Sequence, residues 1–358
     1  MALPKEVIKE MVDPRYYEAM FMSIDQPPLP VYEDSDIDSI RGFLSAMEQV
    51  YISQAGPFFA DMPEVETEIE SETLTILGED ANDIVLHIVK PTGDEELPCL
   101  LFLHGGGMAV NTCSHPMYTK AREFLAAKVR AVVVGVEFRN AGGVLGPHPF
   151  PAGLHDCRAA LHWANGMRES RRFSKVVLVG DSGGGNLCIS LALLAKPSQK
   201  QCQEQTQEQA QGLERVDGVY AMCPYISGLY SKPDDQSETL PSLALFDGVA
   251  GMGCLSLHYF ARAYDPPGEN SRNPLAWPYH ATPAQLAGLP PFVVSLNEAD
   301  PLHDEGKVFF RRLLAAGVSA RCRTLVGSCH AGDLIGMKAT HDIFLTTMMD
   351  VKAFVDGL

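Results

Sequence analysis

Residues 176–195 read VVLVGDSGGGNLCISLALLA, two apolar runs joined by one glycine-rich turn. The first run has the continuous valine and leucine character of a strand buried on both faces, and the second is interpreted as the helix that follows it. The turn contains the pattern G-x-S-x-G, from Gly180 to Gly184, which is typical of a sharp strand-to-helix bend that exposes a serine hydroxyl. The sequence therefore predicts that Ser182 is a nucleophile.

Outward from this turn, strand-like runs alternate with helix-like segments along the chain. The strands are predicted at residues 67–77, 83–91, 99–104, 131–138, 175–181, 217–224, 291–299 and 320–327. The main helices are predicted at residues 117–129, 151–167, 304–317 and 341–358. Pro151 is expected at a first helical position and Asp304 at an N-cap. The alternation predicts an α/β fold whose central sheet is mostly parallel and is flanked by helices.

A second glycine-rich turn, HGGG at residues 104–107, follows another predicted strand. Successive glycines expose backbone N–H groups, and a tetrahedral oxyanion needs such donors about 2.7–3.1 Å away. The residues predicted to form an oxyanion hole are Gly105, Gly106, Gly107 and Gly183, with the N–H groups of the last three as donors. His104 is predicted to hold this loop rather than to act as a base. A phosphate-binding loop is not favoured, because neither a following Lys-Ser/Thr pair nor a GxGxxG pattern is present.

A nucleophile of this kind is followed along the chain by an acid and then by a histidine. Asp300 lies just beyond the predicted strand 291–299, whereas Glu298 is still inside it. His330 lies just beyond the last predicted strand, in LVGSCHAGD. The sequence thus predicts a triad of Ser182, His330 and Asp300. Because His330 must be neutral to accept a proton, the rate is expected to fall below about pH 6.5.

Composition restricts partners and cofactors. The 358 residues carry a net charge of −17, which repels phosphate backbones, so nucleic acid is not expected to bind. The N-terminal stretch MALPKEVIKEMVD lacks an apolar signal-peptide core, and the apolar runs are too short for a membrane span, which favours a soluble cytoplasmic protein. Nine scattered cysteines without a CxxC pair favour buried thiols over a zinc site. Neither a metal nor an organic cofactor is expected.

Together these motifs resemble the hormone-sensitive-lipase-type family of α/β-hydrolase esterases, often called family IV. The resemblance covers roughly residues 68–358 and rests on HGGG, GDSGGGN, PHPFPAGLHD, LPPFVVSLNEADPLHDEG and the late His330. It implies the α/β-hydrolase fold and the catalytic roles of Ser182, Asp300 and His330. Three departures stand out. The chain reads FRNAGGVLGP where the family usually has a YRLAPE-like stretch, Ala331 and Gly332 follow His330 where Gly-Phe is common, and Gly183 stands where alanine is more common.

Two segments do not fit the alternation of strands and helices. Residues 1–66 precede the first strand, and residues 225–285 separate two later strands. A structureless loop of that length is unusual in a compact domain, and the resemblance implies a helical cap built from an N-terminal segment and an insertion. Residues 67–224 and 286–358 would then form the catalytic domain. A glutamine-rich tract at 198–212 is expected to be a solvated loop.

The expected function is that of a serine carboxylesterase acting through an acyl-enzyme. The resemblance implies short- to medium-chain carboxylic esters as substrates, and the expected partner is such a small molecule; self-association into a homodimer is also considered. Two alternatives stay open. A deacetylase or amidase would use the same nucleophile, and a non-catalytic ligand-binding receptor would use the same fold.

Overall fold

The computed structural model describes residues 3–16, 35–59, 62–196, 214–231, 238–249 and 251–358. These residues contain one eight-stranded sheet with strand order β1-β2-β4-β3-β5-β6-β7-β8. Its strands are β1 (Ile69–Leu77), β2 (Asp83–Pro91), β3 (Leu97–Leu103), β4 (Val132–Glu137), β5 (Phe173–Asp181), β6 (Gly218–Met222), β7 (Phe292–Ala299) and β8 (Ala320–Cys329). Strand β2 is antiparallel to both β1 and β4, and β3 to β8 are mutually parallel. The predicted α/β fold with a mostly parallel sheet is confirmed.

Helices connect these strands. They are α1 (Lys5–Met11), α2 (Ile37–Phe59), α3 (Pro116–Leu125), α4 (Ala152–Gly166), α5 (Gly183–Ala195), α6 (Ser242–Leu245), α7 (Cys254–Tyr264), α8 (Pro283–Leu286), α9 (His303–Ala315), α10 (Gly332–Ile335) and α11 (His341–Asp356). A π-helical turn, Ala126–Arg130, extends α3. Apolar side chains fill both faces of the central strands, and residues 176–179 of β5 are fully buried, as their continuous apolar run predicts.

At two helix starts, the predicted capping residue takes a different position. Helix α4 begins at Ala152, so Pro151 precedes it, because a turn closed by the Ala152 N–H and the Pro149 carbonyl comes first. Helix α9 begins at His303, which places Asp304 inside the first turn rather than at the N-cap. The Asp304 carboxylate instead accepts the N–H of Ser242 at 2.8 Å.

The two segments outside the alternation meet in the structure. Helix α2 lies in the N-terminal segment and α7 in the insertion, and Phe43 of α2 packs edge-on against Tyr259 of α7 at 5.7 Å between ring centres. The predicted domain boundaries remain predictions. Parts of residues 1–66 and 225–285, and all of the glutamine-rich tract at 198–212, lie outside the described residues. Among the described helices, none is both long and apolar enough to cross a bilayer.

Candidate active site

Strand register gathers the predicted site residues at one edge of the sheet. Leu103 at the end of β3 pairs with Gly180 of β5, and Ala299 at the end of β7 pairs with Cys329 of β8. Residues that follow parallel strands emerge together at the carboxyl edge, where α/β proteins bind ligands. The HGGG turn, Ser182, Asp300 and His330 all begin at this edge.

Ser182, His330 and Asp300 form a continuous hydrogen-bonded relay. The Ser182 Oγ lies 3.0 Å from the His330 Nε2, and the His330 Nδ1 lies 2.9 Å from the Asp300 Oδ2. The three residues are 7%, 4% and 0% exposed, respectively, so the relay is shielded from water. This is the arrangement in which an imidazole accepts a hydroxyl proton while a carboxylate fixes its tautomer.

The bend around Ser182 depends on bare glycines. Ser182 has φ 51° and ψ −116°, a strained backbone conformation for a residue with a side chain. A Cβ at Gly180 would lie 2.6 Å from the Leu103 carbonyl oxygen and 2.7 Å from the backbone of Gly184. Strand β5 can therefore turn directly into α5 only because both positions lack side chains, and this turn projects the serine hydroxyl away from the sheet.

Asp300 is held in place by the chain that follows it. Its Oδ1 accepts the N–H of Leu302 at 2.9 Å, which leaves Oδ2 for His330. The other acids near this strand end point elsewhere. Glu298 accepts the N–H of Gly327 at 2.8 Å, and Asp304 binds Ser242.

His330 reaches Asp300 because β8 contains an irregularity. Asn297 pairs with Leu325, but two residues later Ala299 pairs with Cys329, so β8 gains two extra residues between these pairs. Burial lowers the pKa of His330, but the charge and hydrogen bond of Asp300 outweigh it, with further attraction from more distant carboxylates. The pKa of His330 is consequently raised above its ordinary value of 6.5.

The HGGG turn lies directly against the bend around Ser182. A Cβ at Gly183 would lie 2.6 Å from the Met108 nitrogen and 2.8 Å from the Gly107 nitrogen. The N–H of Gly183 is the first of α5 and has no partner within the helix. Within the described residues, the N–H groups of Gly106 and Gly107 are likewise without a hydrogen-bond acceptor.

Gly105 is placed differently from the other three glycines. Its N–H donates to the Tyr118 hydroxyl at 3.0 Å and to the Asp181 Oδ1 at 3.1 Å. This N–H is therefore already used and does not face the space beside Ser182. Gly105 fastens the loop, whereas Gly106, Gly107 and Gly183 keep free donors.

Comparisons with known protein families, sequences and structures all find α/β hydrolases and esterases. Residues 100–333 match the family model described as alpha/beta hydrolase fold. The carboxylesterase NlhH of Mycobacterium tuberculosis is 29% identical over 264 residues, 72% of this chain and 73% of the relative. Brefeldin A esterase, described as a bacterial homologue of human hormone-sensitive lipase, superposes with a TM-score of 0.87 at 39% identity, covering 96% of this chain and 92% of that chain. The esterase Est22 gives 0.81 at 30% identity, covering 98% and 99%.

The chain belongs to the hormone-sensitive-lipase-type family of α/β hydrolases. The predicted resemblance and fold are thereby confirmed, and the class of the enzyme is that of the carboxylic ester hydrolases.

Two buried residues that the sequence did not single out, Tyr118 and Asp181, contact the HGGG turn. The Tyr118 hydroxyl donates to the Asp181 Oδ2 at 3.2 Å, and together they receive the Gly105 N–H. Burial raises the pKa of Asp181 to about 7, partly offset by the neighbouring His330. Asp181 could have been predicted to lie in the site, because it directly precedes Ser182 in GDSGG. No local pattern indicated Tyr118, which lies on α3.

His104 occupies the position expected of a structural residue in this loop. Its Nδ1 lies 2.7 Å from the Gly105 carbonyl oxygen, and its ring stacks on Phe138 at 4.2 Å between centres. Burial lowers the pKa of His104 to about 4, so the ring is neutral at physiological pH. Both contacts support the prediction that His104 holds the loop.

One group of side chains has a composition that could hold a metal. In the described residues, Cys223, Asp300 and His330 each offer a ligand atom within 4.8 Å of the others. The His330 Nδ1 and the Asp300 Oδ2 already lie within hydrogen-bonding distance of each other, at 2.9 Å. Burial, reinforced by the charge of Asp300, raises the pKa of Cys223 well above its ordinary value. Because metal ligation requires a thiolate and a deprotonated imidazole nitrogen, this donor set fits a proton relay better than a metal centre.

Proposed function

We propose that this enzyme is a serine carboxylesterase that hydrolyses short- to medium-chain carboxylic esters through an acyl-enzyme on Ser182. The single observation that carries the proposal is the relay from the Ser182 hydroxyl through His330 to Asp300, with both hydrogen bonds at 3.0 Å or less. Free backbone N–H groups lie beside the serine, as acyl transfer requires.

In the first half of the reaction, Ser182 attacks the ester carbonyl while the His330 Nε2 takes the hydroxyl proton. Asp300 keeps the imidazole in the required tautomer and stabilises the imidazolium that forms. The carbonyl oxygen becomes an oxyanion, and the N–H groups of Gly106, Gly107 and Gly183 are the proposed donors to it. His330 then gives its proton to the alkoxide oxygen, and the alcohol leaves.

In the second half, a water molecule takes the place of the alcohol. His330 accepts a proton from this water as its oxygen attacks the acyl carbon, and a second tetrahedral oxyanion forms at the same donors. Collapse of this intermediate returns the proton to Ser182 and releases the carboxylic acid.

The proposed substrate pocket lies between the oxyanion loop and α7. A Cβ at Gly107 would lie 2.8 Å from the Phe260 Cβ, so the Phe260 side chain directly borders the loop. Phe260 lies in the insertion at residues 225–285, which supports the proposed role of this segment as a cap. The apolar stretch YYEAMFM at residues 16–22 is a further source of proposed pocket residues, but of these only Tyr16 belongs to the described part of the chain.

The proposal can be tested with p-nitrophenyl esters of increasing acyl length. Rapid mixing should show a burst of one p-nitrophenol per enzyme, and mass spectrometry of the quenched enzyme should find the acyl group on the peptide that contains Ser182. Activity should be highest with the short and medium chains. Turnover of acetanilides at rates comparable to the esters would favour an amidase, and an inactive protein that binds apolar ligands would favour a receptor.

The pH dependence of kcat/KM follows from His330. Its folded pKa is raised, so the ring becomes protonated at a higher pH than an ordinary histidine, and only the neutral ring can act as the base. As the pH falls, kcat/KM is therefore expected to decline around a midpoint above 6.5. This places the decline higher than the sequence suggested. A pH profile with its midpoint below the ordinary value, or no decline down to about pH 5, would contradict this assignment.

A further inference from the structure

Glu48 is a buried carboxylate that lies outside the catalytic strands, on α2. Its Oε1 accepts the N–H of Asn111 at 2.6 Å, and its Oε2 accepts the N–H of Val144 at 2.7 Å. Asn111 follows the oxyanion turn, and Val144 lies in the loop after β4. One side chain from the N-terminal segment therefore joins two loops that are distant in the sequence.

Both loops are tied to the oxyanion turn by backbone hydrogen bonds. The Ala109 N–H donates to the Gly106 carbonyl at 3.0 Å, which closes the turn. The Ala141 N–H, from the loop after β4, donates to the Met108 carbonyl at 2.9 Å. The loop after β4 thus fixes the backbone of residues 106–111 at Met108, and the Glu48 carboxylate fixes it at Asn111.

This backbone is strained and needs such support. Met108 has φ 57° and Asn111 has φ 75°, in the left-handed region that few residues other than glycine and asparagine adopt. Strained residues persist where their surroundings determine their conformation, and they concentrate at functional sites. The hydrogen bond from Asn111 to Glu48 supplies this restraint at the end of the turn.

Gly143 provides the space for the carboxylate. It has φ +60°, and a Cβ there would overlap both Glu48 carboxylate oxygens. FRNAGG at residues 138–143 can be aligned with YRLAPE through the arginine and the alanine that both contain. In this alignment Gly143 stands at the position of the glutamate. The chain thus has a glycine where that pattern has a glutamate, and the Glu48 carboxylate of α2 lies directly against this glycine.

We propose that Glu48 is a positioning residue for the oxyanion hole: its carboxylate holds residues 106–111 so that the N–H groups of Gly106 and Gly107 face a carbonyl at Ser182. This inference rests on the proposed esterase function. Glu48 touches neither the triad nor the proposed donors and acts through the loop. Its loss should weaken binding of the transition state much more than binding of the ester.

Glu48→Gln is the most direct test. Glutamine has nearly the same shape but only one acceptor oxygen, so one of the two backbone N–H groups would face an NH₂ group instead. At about pH 8 with a p-nitrophenyl ester, kcat is expected to fall roughly 10- to 100-fold with KM little changed, since small displacements of catalytic groups have effects of this size. A trifluoromethyl ketone mimics the transition state, because the Ser182 oxygen adds to its carbonyl and the carbonyl oxygen becomes an oxyanion in the proposed hole. The affinity of Glu48→Gln for this ketone should fall in parallel with kcat.

Glu137→Gln is the matched control. Glu137 is also a largely buried carboxylate that accepts backbone N–H groups, at 2.6 Å from Cys113 and 3.3 Å from Ser114, but these residues lie beyond the oxyanion turn. This variant should keep kcat and ketone affinity within about twofold of the wild type, because the hydrogen-bond partners of Glu137, namely His87, Cys113 and Ser114, all lie outside residues 106–111. Hydrogen exchange of the amides in residues 106–111 should accelerate in Glu48→Gln and not in Glu137→Gln.

The outcomes separate this proposal from the esterase proposal. Wild-type kcat and ketone affinity in Glu48→Gln, or equal losses in the two variants, would overturn the role of Glu48 while the esterase function stands. An inactive wild type would overturn the esterase function, and hydrogen exchange would still decide whether Glu48 holds the loop. If Glu48→Gln does not fold, Glu48→Asp retains both acceptor oxygens on a shorter side chain and should show a smaller loss of kcat with the same unchanged KM.

Discussion

Ser182→Ala is expected to lower kcat for p-nitrophenyl esters by roughly 10⁵- to 10⁶-fold, the size of effect that removal of a triad serine has in a serine hydrolase. The hydroxyl oxygen is the proposed attacking atom, and among the described residues no other hydroxyl forms a hydrogen bond with the His330 Nε2. The variant should retain the fold, because the change removes one oxygen from a side chain whose hydrogen-bond partner is His330. Steady-state rates, burst amplitude and circular dichroism together test this prediction.

Ser190→Ala is the matched control for the loss of a buried hydroxyl. Ser190 lies two turns further along α5, and its Oγ donates to the Asn186 side chain at 3.1 Å. This variant should stay active. Equal activity of Ser182→Ala and the wild type would refute the proposed nucleophile, and an inactive wild type that still binds apolar ligands would favour the receptor alternative.

Asp300→Asn is expected to reduce kcat by roughly 10⁴-fold, as replacement of the triad carboxylate does in serine proteases. An asparagine side chain can present its NH₂ group to the His330 Nδ1, which then stabilises the tautomer with its proton on Nε2. That tautomer cannot accept the Ser182 proton. The hydrogen bond of 2.9 Å that the carboxylate now makes would thus be replaced by one that favours the wrong form of the ring.

Asp304→Asn provides the control for the loss of a neighbouring carboxylate. Asp304 lies in the same segment but binds the N–H of Ser242, away from the relay. Its amide variant should retain most of the wild-type kcat. If Asp304→Asn were as inactive as Asp300→Asn, or if Asp300→Asn kept wild-type turnover, the assignment of the acid would be wrong. Thermal unfolding of both variants separates a loss of stability from a loss of catalysis.

Local patterns were sufficient for much of this structure because their causes are local. The continuous apolar run before Gly180 leaves water only if both faces of the strand are buried. The glycines at 180 and 184 permit the turn that follows. The positions of Asp300 and His330 just beyond strand ends followed from strand boundaries alone. Their direct contact could be expected, since parallel strands end at a common edge.

The sequence by itself determined the strands, the nucleophile bend and the candidates for the relay. Only the tertiary structure decided which atoms meet. Two extra residues in β8 bring Cys329 opposite Ala299. The Gly105 N–H is not available to a substrate, because it already donates to Tyr118 and Asp181. Glu48 meets Gly143 across the fold, although neither residue carries a local signal for the other. The physical reason is that a backbone conformation is set by neighbours in sequence, whereas hydrogen-bond partners and register are chosen by packing between distant segments.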